Sequence, residues 1–275
     1  MVTVVGAVAI DMIAVRERFL DGTSNPSDIR LGLGGVGYRI FSNLEVSRRF
    51  ITALGSDPIS RWAREAMEAD GDALIQDVSA RDAGPPLYLA LMESGNLKVA
   101  ASDFRILEEA LSPAFVERNL GTPGAEDFLV LDANLSPALL GSLVRRWADA
   151  TRVVFEPVSV EKSARHADSL RGIFLMTPTA EEMDALASGD VTAYMQERRI
   201  ANALVTRGEE GATLYTGGAR IDLPPKNVVG ARDTTGAGDL LVALLLSCLH
   251  RGEGMEAAVR SAMRSVEERL GKGSV

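Results

Sequence analysis

Cysteine occurs once in these 275 residues, at Cys248, and histidine only twice, at His166 and His250. A single thiol excludes an internal disulfide framework and a cysteine metal cluster, and it suits a reducing, cytoplasmic setting. Cys248 falls inside an apolar helical run and reads as core. The histidines have no metal-ligand spacing and stand in polar helical contexts, which makes them bystanders. The two tryptophans, Trp62 and Trp147, lie in helical stretches at core-like spacing, with no aromatic array for stacking bases. Basic runs are also missing: a net charge of −9 without a Lys/Arg cluster argues against nucleic acid as a partner. Met1 to Ile10 is apolar, yet it has no basic leader, and Asp11 interrupts it well short of a membrane span. That stretch is expected to be a first β-strand, and no membrane partner is expected. No G-x-x-x-x-G-K-[ST] occurs, which excludes a P-loop enzyme, and no internal repeat or low-complexity linker breaks the chain.

What is present is a core-forming rhythm, with 46% hydrophobic residues. Short β-branched runs at Thr3 to Val8, Phe50 to Leu54, Phe128 to Leu131, Val153 to Phe155, Ile173 to Met176 and Ala203 to Thr206 alternate with amphipathic helical stretches. Strands buried on both faces and separated by helices predict an α/β fold with a doubly wound, mainly parallel sheet and helices on both faces. Ligands then belong at the C-terminal ends of the strands. Two segments break the rhythm. Leu87 to Met92 and Leu97 to Ala101 flank Glu93-Ser94-Gly95-Asn96, a hairpin signal, and an extended piece from Ile29 to Leu33 precedes a glycine cluster. Together they predict a small sheet standing off the main one.

The most telling stretch is Asp233-Thr234-Thr235-Gly236-Ala237-Gly238-Asp239, which runs into the apolar helix that starts at Leu240. Small residues at Gly236, Ala237 and Gly238 let the N–H groups of a helix N-terminus point at an anion, backed by the helix dipole. Asp239, on the first turn, is a carboxylate able to take a proton from an attacking hydroxyl, so cradle and base together suggest phosphoryl transfer. All seven residues match the signature of the PfkB-type carbohydrate kinases, the ribokinase family of sugar and nucleoside kinases, and the chain resembles that family over nearly its whole length. The resemblance implies that Gly236, Ala237 and Gly238 form the anion hole and that Asp239 is the catalytic base. It also implies one ribokinase-like domain over residues 1–275, with the small sheet, from about 15–33 and 86–102, serving as a lid over the sugar and as a candidate homodimer contact.

Gly32-Leu33-Gly34-Gly35-Val36-Gly37 satisfies the dinucleotide fingerprint G-x-G-x-x-G, but a long polar segment separates it from the first strand, which is the wrong context. It resembles instead the family's first signature, in which a Gly-Gly pair, here Gly34 and Gly35, opens a helix beside the sugar. Ile51 to Pro58, Val99 to Leu107, Leu131 to Leu135, and Glu156-Pro157-Val158-Ser159 with Lys162 look most like the pseudouridine kinase branch. The resemblance further implies that Asp11, with Gly34 and Gly35, positions the acceptor and that Thr206, Gly208, Gly211, Thr235, Gly236 and Gly238 face an ATP donor. Mg²⁺ would arrive with the nucleotide, Glu182 orienting it through water. A monovalent-cation site near Asp233 and Thr235 is left open.

Three family asparagines are replaced, by Ala9 two residues before Asp11, by Arg39 in the glycine signature, and by Thr179 in the Asn-x-x-Glu motif that ends at Glu182. Each lost amide leaves a substrate group unpartnered at about 1 to 3 kcal/mol, enough to shift specificity without abolishing chemistry. Arg39 brings five donors and a positive charge, which suits a carboxylate or phosphate on the acceptor; an ion-paired or surface role is the alternative. The phenylalanine usual two positions after the base is Leu241. The expected function is nucleotide-dependent phosphorylation of a sugar or nucleoside hydroxyl, pseudouridine-like by preference, and the alternative is a catalytically weakened binding protein of the same fold.

Overall fold

The computed structural model describes residues 1–69, 72–78, 84–187, 189–224 and 236–271. Its strands are β1 (Val2–Val5), β2 (Ala9–Arg16), β3 (Asp28–Gly34), β4 (Arg48–Gly55), β5 (Ala73–Val78), β6 (Leu87–Glu93), β7 (Asn96–Asp103), β8 (Phe128–Asp132), β9 (Arg152–Glu156), β10 (Leu175–Met176), β11 (Asn202–Thr206), β12 (Ala212–Thr216) and β13 (Ala219–Leu223). The helices are α1 (Val36–Asn43), α2 (Pro58–Glu68), α3 (Arg105–Ala110), α4 (Pro113–Leu120), α5 (Pro137–Trp147), α6 (Val160–Ala164), α7 (Ala180–Ala187), α8 (Val191–Arg198), α9 (Ala237–His250) and α10 (Met255–Gly271).

Among the described residues nine strands form one sheet in the order β13-β12-β11-β10-β9-β8-β1-β4-β5, in which only β12 runs against the others. Every residue of β1 and β8 is buried, as expected of strands covered on both faces. Alternation along each strand splits the core in two. Val2, Val4, Phe128 and Val130 pack with α1, α2, α9 and α10, where the Phe41 and Phe50 rings stack at 5.4 Å. Val5, Leu129 and Leu131 pack on the other face with α4, α5, α7 and α8. This is the α/β, mainly parallel arrangement that the alternation of strands and helices predicts. The strand order reverses beside β1, with β4 on one side and β8 on the other, so a crevice opens where β1 and β8 end.

The small sheet has the order β3-β2-β6-β7. Its β2 corrects the sequence reading: Thr3 to Val8 is not one strand, because the main-sheet strand ends at Val5 and the chain crosses to a second sheet at Ala9. The apolar run continues across that joint, so hydrophobicity alone shows no break. Gly6 marks it, since a Cβ there would lie 2.4 Å from Asp132 Oδ2. The β6–β7 hairpin turns as its sequence suggests, on Ser94 and Gly95 with φ of 49° and 83°. The β12–β13 hairpin turns on Gly217-Gly218, a signal of equal strength that the strand reading passed over.

Two side-chain readings also change. His166 is fully buried, its Nε2 lies 3.2 Å from the Ala133 carbonyl oxygen, and its ring meets Phe155 edge-on, so it is a packing residue and not part of a polar helix face. Trp62 is 37% exposed on α2, outside the core. Cys248 is buried on α9. Among the described residues no helix is long and apolar enough to cross a membrane.

Candidate active site

The glycines explain how the crevice is built. Gly35, the residue before α1, has a φ of +86°, and a Cβ there would sit 2.7 Å from the Ala9 nitrogen and 2.8 Å from the Ala7 oxygen. Only glycine lets α1 press against the β1–β2 joint. A Cβ on Gly34 would fall 2.0 Å from Asp11 Oδ2, so the bare backbone makes room for the Asp11 carboxylate. Across the switch point the buried Asp132 accepts the Ala7 N–H at 2.7 Å and the Asn134 N–H at 3.0 Å, tying the end of β1 to the end of β8.

A cleft of about 900 Å³ lies between the two sheets. Asp11, Gly35, Arg39, Asn134, Lys162 and Asp239 line it, with Tyr88 and Ser102 facing them from the small sheet. Arg39 Nη2 donates to Asp11 Oδ2 at 2.7 Å. Burial pushes the Asp11 carboxyl up, and Arg39 pulls it back. The same guanidinium reaches the start of α9, where a Cβ on Gly236 would lie 3.1 Å from Arg39 Nη1. Arg39 therefore stands between a small-sheet carboxylate and the proposed anion hole, and the ion-paired alternative of the sequence reading is the geometry found.

Gly236 caps α9 with a φ of 84°, Ala237 begins the helix, and Asp239 sits on its first turn. Asp239 is half-buried; burial pushes its carboxyl up to about 7, Asp132 and Asp11 add to the rise, and Arg39 opposes it. A group titrating near 7 matches what a general base needs at neutral pH. A Cβ on Gly238 would meet nothing within 4 Å, so the space beside the first turn is open.

Thr206, Gly208 and Gly211 lie apart from the lined cleft, where β11 ends. Thr206 bridges to Thr179, its N–H donates to the Pro178 carbonyl at 2.9 Å, and Arg207 N–H closes the loop on the Gly211 carbonyl at 2.8 Å. Gly208 and Gly211 take φ of 53° and 89°. Glu182 joins this side: its Oε2 accepts the Thr179 N–H at 2.8 Å while Glu182 N–H faces Thr179 Oγ1 at 3.3 Å, a reciprocal capping box that starts α7. The threonine that replaces the family asparagine is thus a helix cap. Thr235 and Asp233 lie outside the described residues.

Sequence reasoning gave no role to Glu156. It is buried, accepts from Thr177 Oγ1 at 2.5 Å, and is held well above the usual carboxylate range by burial, with Asp239 and Glu182 adding to the rise. Its place at the C-terminal end of β9 was the available signal. Leu241 packs against the core, as a residue about 200° round the helix from the cleft-lining Asp239 should.

The architecture is ribokinase-like. A solved ribokinase from Thermotoga maritima superposes with a TM-score of 0.82 at 20% identity, covering 98% of this chain and 99% of that one. The chain belongs to the pfkB family of carbohydrate kinases, whose family model matches residues 1–266. Among curated relatives, the pseudouridine kinase of Escherichia coli K12 is 25% identical over 278 residues, covering 95% of this chain and 87% of that protein. The bifunctional protein HldE of Rhodopseudomonas palustris BisB18 is 26% identical over 256 residues, covering 86% of this chain and 51% of that protein. The chain spans about half the length of the HldE proteins it matches.

Proposed function

We propose that the protein transfers the γ-phosphoryl group of ATP to a primary hydroxyl of a nucleoside, with a pseudouridine-like compound as the acceptor. The observation that carries this is the position of Asp239, on the first turn of α9 just after the Gly236 cap and lining the same cleft as Asp11. In this reading Asp239 takes the hydroxyl proton, the alkoxide oxygen bonds to the γ-phosphorus, and the bond from that phosphorus to the β,γ-bridging oxygen breaks, releasing ADP. N–H groups at Gly236, Ala237 and Gly238 stabilise charge on the transferred group. Asp11, Gly34, Gly35 and Arg39 hold the acceptor, and Thr206, Gly208 and Gly211 face the donor. A ribokinase of the same fold from Arabidopsis thaliana was solved with ribose and ATP, which supports ATP as the donor.

Divalent metal fits the donor side in one form. Among the described residues no group of three or more His, Cys, Asp or Glu could cage an ion. The oxygen donors nearby, Glu182 and Glu156, suit a hard ion held mostly by phosphate oxygens and water. Mg²⁺ bound there would neutralise phosphate charge, and Glu182 is the residue that would orient it.

The small sheet is amphipathic. Asp11, Tyr88 and Ser102 face the cleft in one cross-strand row, while Leu31, Met12, Leu89 and Ala101, with Ile29, Ala14, Leu91 and Val99, make the opposite face apolar. On that face Ile29 is 71% and Leu31 53% exposed. This supports a lid whose outer face pairs with a second copy of the chain.

A second reading, a weakened binding protein, is favoured by one observation: the Arg39 ion pair occupies Asp11. ADP formation from ATP with ribose, uridine and pseudouridine decides between the two. Turnover with pseudouridine well above the no-acceptor rate supports the kinase; binding without turnover for every acceptor supports the alternative.

A further inference from the structure

The sequence singles out Arg39 as the positive charge that would read an acidic acceptor, yet the structure pairs it with Asp11. The other cleft arginines are paired too: Arg105 with Asp103 at 2.5 Å and Arg165 with Glu108 at 2.7 Å. Lys162 differs. Among the described residues no carboxylate lies within ion-pair distance of it. Its Nζ donates to Asn134 Oδ1 and stands 4.4 Å from the centre of the Phe104 ring. Asp132, behind the end of β8, together with Glu108 and Glu161, acts on it only from a distance.

An ammonium has three donors, and Asn134 takes one. The remaining two belong to a half-buried cation that no direct ion-pair partner among the described residues neutralises. Burial accordingly lowers the Lys162 pKa. The local build holds it in place. Ser159 caps α6, its Oγ accepting the Lys162 N–H at 3.4 Å, and the long stem crosses the cleft wall to the ring and the amide. Lys162 belongs to α6 and the proposed anion hole to the start of α9, and both elements line the one cleft.

We infer that Lys162 is a specificity-determining residue, whose ammonium donates to a carbonyl or phosphate oxygen that the acceptor carries beyond its sugar hydroxyls. The inference rests on the acceptor side of the proposed function. A nucleobase carbonyl and a sugar phosphate offer the same chemistry, a strongly accepting oxygen for a half-buried cation, and a plain sugar in its ring form has only hydroxyl and ether oxygens. A purely structural lysine would tie α6 to β8 through Asn134 and would be indifferent to the acceptor.

The test compares wild type, Lys162→Met and Lys162→Arg by titration calorimetry with ribose, pseudouridine and ribose 5-phosphate in the absence of nucleotide. Wild type should bind pseudouridine or ribose 5-phosphate more tightly than ribose, and which of them it prefers identifies the source of the oxygen. Lys162→Met should weaken that ligand by roughly 10- to 100-fold while ribose affinity changes less than about twofold, and Lys162→Arg should recover most of the loss. In wild type, the preferred ligand should slow acylation of Lys162 by an amine-directed reagent, read by mass spectrometry, at least about fivefold, and ribose should not. That measurement stands even if the methionine variant does not fold. Equal losses for ribose and the preferred ligand, no loss, no preference over ribose in wild type, or no protection of Lys162 would each overturn the inference. ADP formation measured in parallel separates the two claims: discrimination in binding without turnover sinks the kinase reading alone, and turnover with unchanged discrimination sinks the role of Lys162 alone.

Discussion

Asp239 pays for its position with stability. Burial holds its proton on up to about pH 7, against an ordinary value of 3.8, so between those values the unfolded chain has released a proton that the folded one keeps. Stability contributed at this residue therefore falls as pH rises through that window. Asp239→Asn should lower kcat by at least about 100-fold with little change in nucleotide affinity. It should also stabilise the protein by on the order of 1 to 2 kcal/mol at pH 8 and by almost nothing below pH 4, because the cleft is open to water and only part of the shift counts. Paired thermal melts at the two pH values check this; a variant less stable at pH 8 would show that the carboxylate supports the fold. Wild-type kcat/KM for the acceptor should drop about tenfold per unit below pH 7. Arg39 opposes the rise in Asp239 and neutralises Asp11, so Arg39→Asn should move that acid limb to higher pH and cut turnover at pH 7 several-fold. An unmoved pH profile would separate Arg39 from the base.

At the scale of elements, the replaced asparagine of the Asn-x-x-Glu motif has a local explanation. Thr179 and Glu182 cap α7 reciprocally, and they sit where β11 ends through the bridge from Thr179 to Thr206. Threonine and asparagine are both good caps, so Thr179→Asn should leave stability within about 0.5 kcal/mol, whereas Thr179→Ala should cost about 1 kcal/mol. Urea denaturation distinguishes them. If alanine is as stable as threonine, the hydroxyl is there for a ligand and not for the helix.

At the scale of the molecule, the small sheet turns one face to the cleft and an apolar face outward. Leu89 and Val99, 47% and 53% exposed, carry the patch begun by Ile29 and Leu31 on β3 across to β6 and β7, over all four strands. If two copies meet there, Leu31→Glu combined with Leu89→Glu should turn a dimer into a monomer in sedimentation velocity and leave the main-sheet fold intact by circular dichroism. A wild-type monomer at tens of micromolar would remove the dimer. The fold class itself was legible because buried β-branched runs alternate with helices. The four-stranded form of the small sheet was not, since β1 and β2 share one apolar run and only a change of pairing partner divides them.

Parts whose chemistry is local are written in the sequence: the turn-and-helix signature from Gly236 to Asp239, the glycines before α1, the hairpin at Ser94-Gly95 and the parallel α/β order. In each, a few consecutive residues carry both the conformation and the reason for it. Which charges meet depends on long-range packing. Arg39 and Asp11 are 28 residues apart and form an ion pair, Lys162 and Asn134 are also 28 apart and share a hydrogen bond, and Glu156 lies in the field of both Asp239 and Glu182. Whether a cation is paired or free to read a substrate depends on distances of a few ångströms across the switch point. Those distances follow from how β1, β8 and β9 end beside one another and from what the small sheet brings across the cleft, not from any residue's neighbours along the chain.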